Sequence, residues 1–246
     1  MPSYDSIARF YDCEHAGLTA DIDFYLRLIR RGPVLDVGAG TGRLAVPLAQ
    51  SGVPVWAIDP SLPMLERARI RGTGVPGLHF VHASLETAEL PPHSFAAAIL
   101  SLNTLWHFPD PSAQLTALRR LSGCLVSGGM LIVDSSNPLL LADRRASGEV
   151  RQRFAGECQS DHLTVWSAAW DDEAAQRLDL SLIYDLTRTD GVQRVTATLQ
   201  LRYVFAAELS LMLELAGLRD ITLYGSYELD AYDAGTPQLI ALARNG

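Results

Sequence analysis

The chain has 246 residues, 48 % of them hydrophobic, with a formal net charge of −8 and an isoelectric point near 5.2. That composition supplies a sizeable core and excludes a disordered chain. It also argues against nucleic acid as a partner, because phosphate binding draws on clustered Lys and Arg; here the strongest basic groups are the pairs Arg30-Arg31, Arg119-Arg120 and Arg144-Arg145.

No run approaches the roughly 20 apolar residues of a membrane span, and "MPSYDSIARFYD" lacks the charged-then-apolar layout of a signal peptide. The expectation is a cytoplasmic protein with no membrane partner. Cys13, Cys124 and Cys158 are odd in number and far apart, with no CxxC or Cys/His cluster. Neither a disulfide framework nor a metal site is expected.

Along the chain, "TADIDFYLRLIR" (19–30) places Ile22, Tyr25, Leu26 and Ile29 at helical spacing behind a cap at Thr19 or Asp21. Val34 to Val37 is a short buried strand, "GRLAVPLAQSG" a helix stopping at Gly52, and "VPVWAID" a second strand ending at Asp59. Pro60 and Ser61 open the helix "LPMLERARIR"; "LHFVHA" and "SFAAAILSLN" are the third and fourth strands. Pro111 begins the helix "PSAQLTALRRLSGCL", and "GGMLIVDSS" turns into a fifth strand. This alternation predicts a doubly wound α/β sheet, in which ligands bind outside the carboxyl ends of the strands.

After about residue 145 the pattern changes. Leu178, Leu180, Leu182, Tyr184 and Leu186 alternate with polar or smaller neighbours, Asp190-Gly191 marks a turn, and Val195, Ala197, Leu199, Leu201 and Tyr203 alternate again. That is a hairpin with one buried face. "VRQRFAGECQ" and "DHLTVWSAAWDD" add two strands before it; "AAELSLMLELA" returns to helix, and "LRDITLYGSYEL" and "PQLIALAR" close the chain as strands. The predicted fold is one domain, 1–246: a mostly parallel, Rossmann-like seven-stranded sheet, with residues 1–31 as an N-terminal lid and an antiparallel insertion over about 145–205, before the last helix.

The chemistry centres on "PVLDVGAGTGRL" (33–44). A dinucleotide loop reads GxGxxG, but here Gly38, Gly40 and Gly42 alternate and Arg43 stands where the third glycine belongs. Asp36, two residues before Gly38, would repel a pyrophosphate and welcome an ammonium group. Asp59, at the tip of the second strand, suits a ribose. S-adenosylmethionine fits a ligand with a ribose, an amino group and no phosphate.

The stretches "YDSIARFYD", "VLDVGAGTGRL", "AIDPSLPML", "FAAAILSLNTLWHF" and "GGMLIVDSSNP" together resemble the ordered motifs of class I S-adenosylmethionine-dependent methyltransferases. The likeness covers about residues 4–140, and the ending at 206–243 matches too; small bacterial enzymes that methylate metabolites and natural products are the most similar. The resemblance implies that Gly38, Ala39 and Gly40 pass under the methionine part of the cofactor, with Asp36 near its ammonium and Asp59 on the ribose. It places Pro60, Met64, Ser84 and Leu85 around the adenine, Leu102 beside the methionine portion, and Tyr4 or Tyr11 on the lid. Ser84 stands where the family usually has Asp, a weaker acceptor for the adenine amino group.

Methyl transfer needs alignment and exclusion of water, with a base only where the acceptor must lose a proton. His107, in "LNTLWHF", is the candidate base or acceptor-orienting residue. Tyr4, Asn103, Trp106, Trp166 and Tyr203 are candidate acceptor contacts; Trp166, Trp170, Tyr203, Tyr224 and Tyr227, in the insertion and the late strands, are weighed as pocket wall or core packing. The expected reaction is methylation of an oxygen or nitrogen of a small-molecule acceptor, leaving S-adenosylhomocysteine. The rival readings are an NAD-dependent oxidoreductase and a non-methylating cofactor-binding protein. Sheet edges in the insertion leave room for a homodimer.

Overall fold

The computed structural model describes residues 3–141 and 148–246; the Arg144-Arg145 pair and the start of the insertion lie outside the described residues. Helices α1 (Ser3–Glu14) and α2 (Ala20–Leu28) precede a sheet built from β1 (Val34–Val37), β2 (Val55–Asp59), β3 (Leu78–His82), β4 (Phe95–Leu100), β5 (Leu125–Ser136), β10 (Leu218–Tyr224) and β11 (Gln238–Asn245). Its order is β10-β11-β5-β4-β1-β2-β3, with β1 to β5 and β10 running one way and β11 reversed between β10 and β5. The mostly parallel seven-stranded sheet expected from the alternation is therefore present.

Helices cover both faces, so the central strands are apolar on both sides. Successive residues of β1 divide between two cores: Val34 packs with Tyr25 of α2 and with Leu48 of α3 (Ala45–Gln50), while Leu35 packs with Leu118 of α5 (Pro111–Cys124). Two helices begin on predicted stop-and-start chemistry. Ser61 caps α4 (Leu62–Arg71) by accepting from Met64 N at 3.4 Å, and Asp110 caps α5 from Ala113 N at 2.8 Å, with Pro in the first turn of each. Such caps contribute about 1 kcal/mol each. At α2 the cap position is Thr19, without a side-chain bond.

Strands β6 (Val150–Cys158), β7 (Asp161–Asp172), β8 (Arg177–Arg188) and β9 (Gly191–Arg202) form a separate antiparallel sheet in sequential order, followed by α6 (Ala206–Leu215). Leu178, Leu180, Leu182, Tyr184 and Leu186 are all buried, as the alternation predicts, and join the core that holds Phe10 of α1 and Trp106. The β8–β9 turn falls one residue earlier than expected: Arg188 pairs with Gly191, leaving Thr189 and Asp190 at the bend.

One expectation is corrected. Cys13 of α1 and Cys158 of β6 form a disulfide, with Cα atoms 5.4 Å apart. Their separation of 145 residues hid the pairing, since only the fold brings a lid helix against an insertion edge. Cys124 is free and buried.

Candidate active site

The glycine loop follows β1 with Gly38, Gly40 and Gly42 all at positive φ, where a side chain is strained. At Gly38 space is refused as well: a Cβ would lie 2.9 Å from Thr104 Cγ2. Arg43 then anchors the loop, because its guanidinium pairs doubly with buried Asp21 of α2 and reaches the Leu18 carbonyl at 3.1 Å. The arginine that breaks the dinucleotide pattern is thus a brace between loop and helix.

Asp59 closes the loop from β2. Its Oδ2 accepts from Gly40 N and its Oδ1 from Ser61 N, both at 2.8 Å. Asp36 behaves differently. It is 1 % exposed, and neither carboxylate oxygen has a hydrogen-bond partner. Burial raises its carboxyl to about 7, opposed by Arg43 and reinforced by the Asp59 charge. A loop-capping carboxylate would show bonds to backbone N–H groups, and this one shows none. An orphaned buried carboxylate facing a cavity is half of an interaction.

That cavity measures about 680 Å³, inside the range of small-molecule sites. It takes in every cofactor candidate read from the sequence: Tyr11, Asp36, Gly38, Ala39, Gly40 and Asp59 at one part of its wall, Pro60, Met64, Ser84, Leu85 and Leu102 at the rest. The orphaned Asp36 fits an ammonium group and the Asp59 tip fits a sugar diol, so the residues present suit S-adenosylmethionine. Ser84 is bound to Thr87, with the two hydroxyls 3.2 Å apart.

Helix α1 lies along this cavity and is held by polar contacts at the cofactor end. Ser61 donates to Asp5 and Thr41 to Asp12, each at 2.6 Å, and Arg67 and Arg71 pair with Asp12. At the insertion end Tyr184 donates to Glu14 at 2.7 Å beside the disulfide. Tyr4 and Tyr11 of α1 both line the cavity, and burial raises both phenols, Tyr11 to about 12. The Tyr4 hydroxyl shares a hydrogen bond of 3.2 Å with His107 Nε2.

His107 ends a 3-10 turn, Thr104–His107, after β4. Burial alone lowers its imidazole to about 4, so it is neutral near pH 7. With no carboxylate partner to raise it, it is a poor general base and a good hydrogen-bonding surface. Of its two expected roles, orienting an acceptor suits this environment and proton removal does not.

The structure turns four expected acceptor contacts away from the cavity. Trp106 is buried against Tyr203, whose hydroxyl donates to Asp171 at 3.0 Å. Trp166 sits on β7 opposite Ile183 of β8, outside the lining. Asn103, at φ 67°, accepts from Ser136 N at 2.8 Å and ties the end of β4 to β5. Large aromatic groups at the joint between two sheets serve packing, and a turn at positive φ needs its amide for its own backbone. The insertion supplies Trp170, weighed from the sequence as a pocket wall, together with Leu180 and Leu199, and further lining residues that sequence reading missed: Asp179, Ser181, Thr198 and Gln200, with Glu86 from the loop after β3. Their alternation with buried leucines read as an ordinary solvent face.

A methyltransferase domain model matches residues 34–129. An uncharacterized methyltransferase of Mycobacterium tuberculosis is 43 % identical over 100 residues, which is 41 % of this chain and 48 % of that protein; the chain thus spans about half the length of the first curated relatives it matches. The cypemycin N-terminal methyltransferase of a Streptomyces species is 28 % identical over 92 % of this chain and 88 % of its own. Among solved structures, the CcbJ methyltransferase from Streptomyces caelestis superposes with a TM-score of 0.80 at 26 % identity, covering 98 % of this chain and 97 % of that one. The five sequence motifs, the seven-stranded sheet and these likenesses agree on a methyltransferase domain, matched over residues 34–129 and carried on a fold shared with solved methyltransferases.

Proposed function

We propose that the protein transfers the methyl group of S-adenosylmethionine to an amine nitrogen of a small molecule. The observation that carries this reading is Asp36, a buried carboxylate without a partner on the wall of a cavity lined by a glycine loop. Asp36 takes the cofactor's ammonium and Asp59 its ribose. When bound, the sulfonium supplies a methyl group already activated for displacement.

The rest falls to positioning. Helix α1 excludes water from above, and the neutral His107, held by Tyr4, presents a hydrogen-bonding edge to the acceptor. Among the described residues His107 is the one histidine on the wall, and its low proton affinity favours an amine, whose free-base fraction attacks through its own lone pair and loses the extra proton to water after transfer. The name of the cypemycin relative, an N-terminal methyltransferase, supports a nitrogen acceptor. No helix among the described residues is long and apolar enough to cross a membrane.

Calorimetric titration with S-adenosylmethionine, S-adenosylhomocysteine and NAD tests the cofactor, and mass spectrometry of an amine and phenol panel tests the acceptor. Binding of the two sulfur nucleosides and a mass gain of one methyl group on amines is the expected result. Binding of NAD alone would overturn the reading.

A further inference from the structure

Asp134, near the end of β5, is buried and does not line the cavity, yet its bonds lead to a loop that does. Its main-chain oxygen accepts from Asn103 N at 3.0 Å, and two residues on, Ser136 N donates to the Asn103 side chain at 2.8 Å. Its carboxylate accepts from the Tyr25 hydroxyl of α2 at 3.3 Å and from the Tyr227 hydroxyl at 3.1 Å. Burial raises this carboxyl to about 6, opposed by the Tyr227 hydroxyl, the Leu102 N–H and the Tyr25 hydroxyl and reinforced by the Asp21 charge. Among the described residues its hydrogen-bond partners are neutral. For packing alone an apolar side chain would serve as well and cost less to bury.

What Asp134 meets is strained backbone. Leu102 and Asn103 follow β4 with φ of 46° and 67°. Asparagine tolerates the left-handed region, but a leucine there crowds its own Cβ against the next carbonyl and persists only where the surroundings fix it. Leu102 lines the cavity, and Thr104 of the same turn abuts Gly38 of the glycine loop. A turn relaxed to ordinary φ would therefore displace the wall beside Asp36, where the methionine end of the cofactor is expected.

Helix α2 joins this turn to the glycine loop. Asp21, one helical turn before Tyr25, pairs with Arg43, and Arg27 donates to the Tyr227 carbonyl at 2.7 Å. Burial and then the charges of Asp134, Tyr227 and Asp36 push the Tyr25 phenol well above its usual range, so it lies within electrostatic reach of both acids. One helix thus braces both loops at the methionine end, the glycine loop through Asp21 and the turn after β4 through Tyr25.

We propose that Asp134, held by Tyr25 and Tyr227, is a positioning residue for cofactor binding: it keeps Leu102 in the left-handed conformation that presents this turn to the methionine end of S-adenosylmethionine. The inference rests on the methyltransferase reading.

The test is calorimetric titration of the full chain with S-adenosylhomocysteine. Asp134→Ala should weaken binding about tenfold. Glycine adopts positive φ without steric cost. Leu102→Gly placed in the Asp134→Ala chain should therefore recover about threefold of that loss, with Leu102→Gly alone completing the cycle. An acid that only supports the core would leave the two losses independent, so that they multiply. Tyr227→Phe keeps the ring and removes one donor; it should weaken binding about threefold and be relieved by Leu102→Gly in the same way. Thermal melting shows which variants fold, and where Asp134→Ala does not, the Tyr227→Phe cycle decides. Unchanged affinity in the folded variant, or losses that multiply with Leu102→Gly, would overturn the assignment. A wild type that binds no nucleoside would instead overturn the functional reading beneath it.

Discussion

Asp36 carries a prediction that can be worked to a number. In the free protein its carboxyl is pushed up to about 7, so near neutrality it is partly protonated. An ammonium group set against it favours the anion, and binding of the cofactor therefore expels the proton. A group titrating near 7 releases about 0.9 proton per site at pH 6, about 0.5 at pH 7 and about 0.1 at pH 8. By linkage the affinity for S-adenosylhomocysteine rises about tenfold from pH 6 to pH 8. Calorimetry in two buffers of widely different ionisation enthalpy measures the release directly. Asp36→Asn should abolish it and weaken binding.

The same group acts on the free protein with a definite sign. The unfolded chain titrates Asp36 near 3.8, so the folded state holds the proton more tightly. Stability present below about pH 4 is lost as the pH rises through about 7, roughly 4 kcal/mol in all. Asp36→Asn should remove that slope. A wild type that releases no proton at pH 6, or an Asp36→Asn variant that still releases one, would refute the pairing of this carboxylate with the ammonium.

Reducing the Cys13–Cys158 bridge opens a loop of 145 residues, whose closure accounts for about 5 kcal/mol; the melting temperature should fall by roughly 10–20 °C on adding a dithiol. Thiol titration of the denatured, unreduced protein should find Cys124 alone. Asp59→Ala should weaken S-adenosylhomocysteine binding more than tenfold, about 1.4 kcal/mol or more, because the loop N–H of Gly40 loses its acceptor along with the ribose; unchanged affinity in a folded variant counts against the assignment. Gly38→Ala should cost affinity through both its positive φ and the 2.9 Å approach to Thr104, and Thr104→Ser in the same chain should recover part of the loss. His107→Gln should lower kcat about tenfold or more with nucleoside affinity unchanged, and the wild-type kcat should show no ionisation from this residue between pH 6 and 8, since it is neutral throughout.

The strand order and the cofactor half of the site were legible because they rest on local pattern. A buried strand, a glycine turn and an acid at the next strand's tip are fixed by spacings of a few residues, and Asp36, Gly40 and Asp59 lie within 24 positions of each other. The acceptor half was not legible for a geometric reason. Trp106 and Tyr203 carry the chemistry one expects of a pocket but occupy the joint between two sheets, whereas Asp179 and Ser181 read as surface until the insertion is folded. The disulfide escaped for the same reason, and the Arg43–Asp21 brace was invisible because an arginine after a glycine loop suggests a ligand contact before it suggests a strut.

Helix α1 meets its partners at steadily growing distances along the chain: Thr41 is 29 residues from Asp12, Ser61 56 from Asp5, His107 103 from Tyr4, Cys158 145 from Cys13 and Tyr184 170 from Glu14. Helix α1 leaves the ribosome ahead of all these partners and is thus satisfied only when the last of them has emerged. At about 5–20 residues per second of synthesis, the helix waits roughly 9–34 s between its own emergence and that of Tyr184. During that interval the nucleoside half of the cavity can already be assembled while the acceptor half has not been made. A nascent chain of this protein therefore carries the residues of its cofactor loop well before the insertion that completes the cavity has been made.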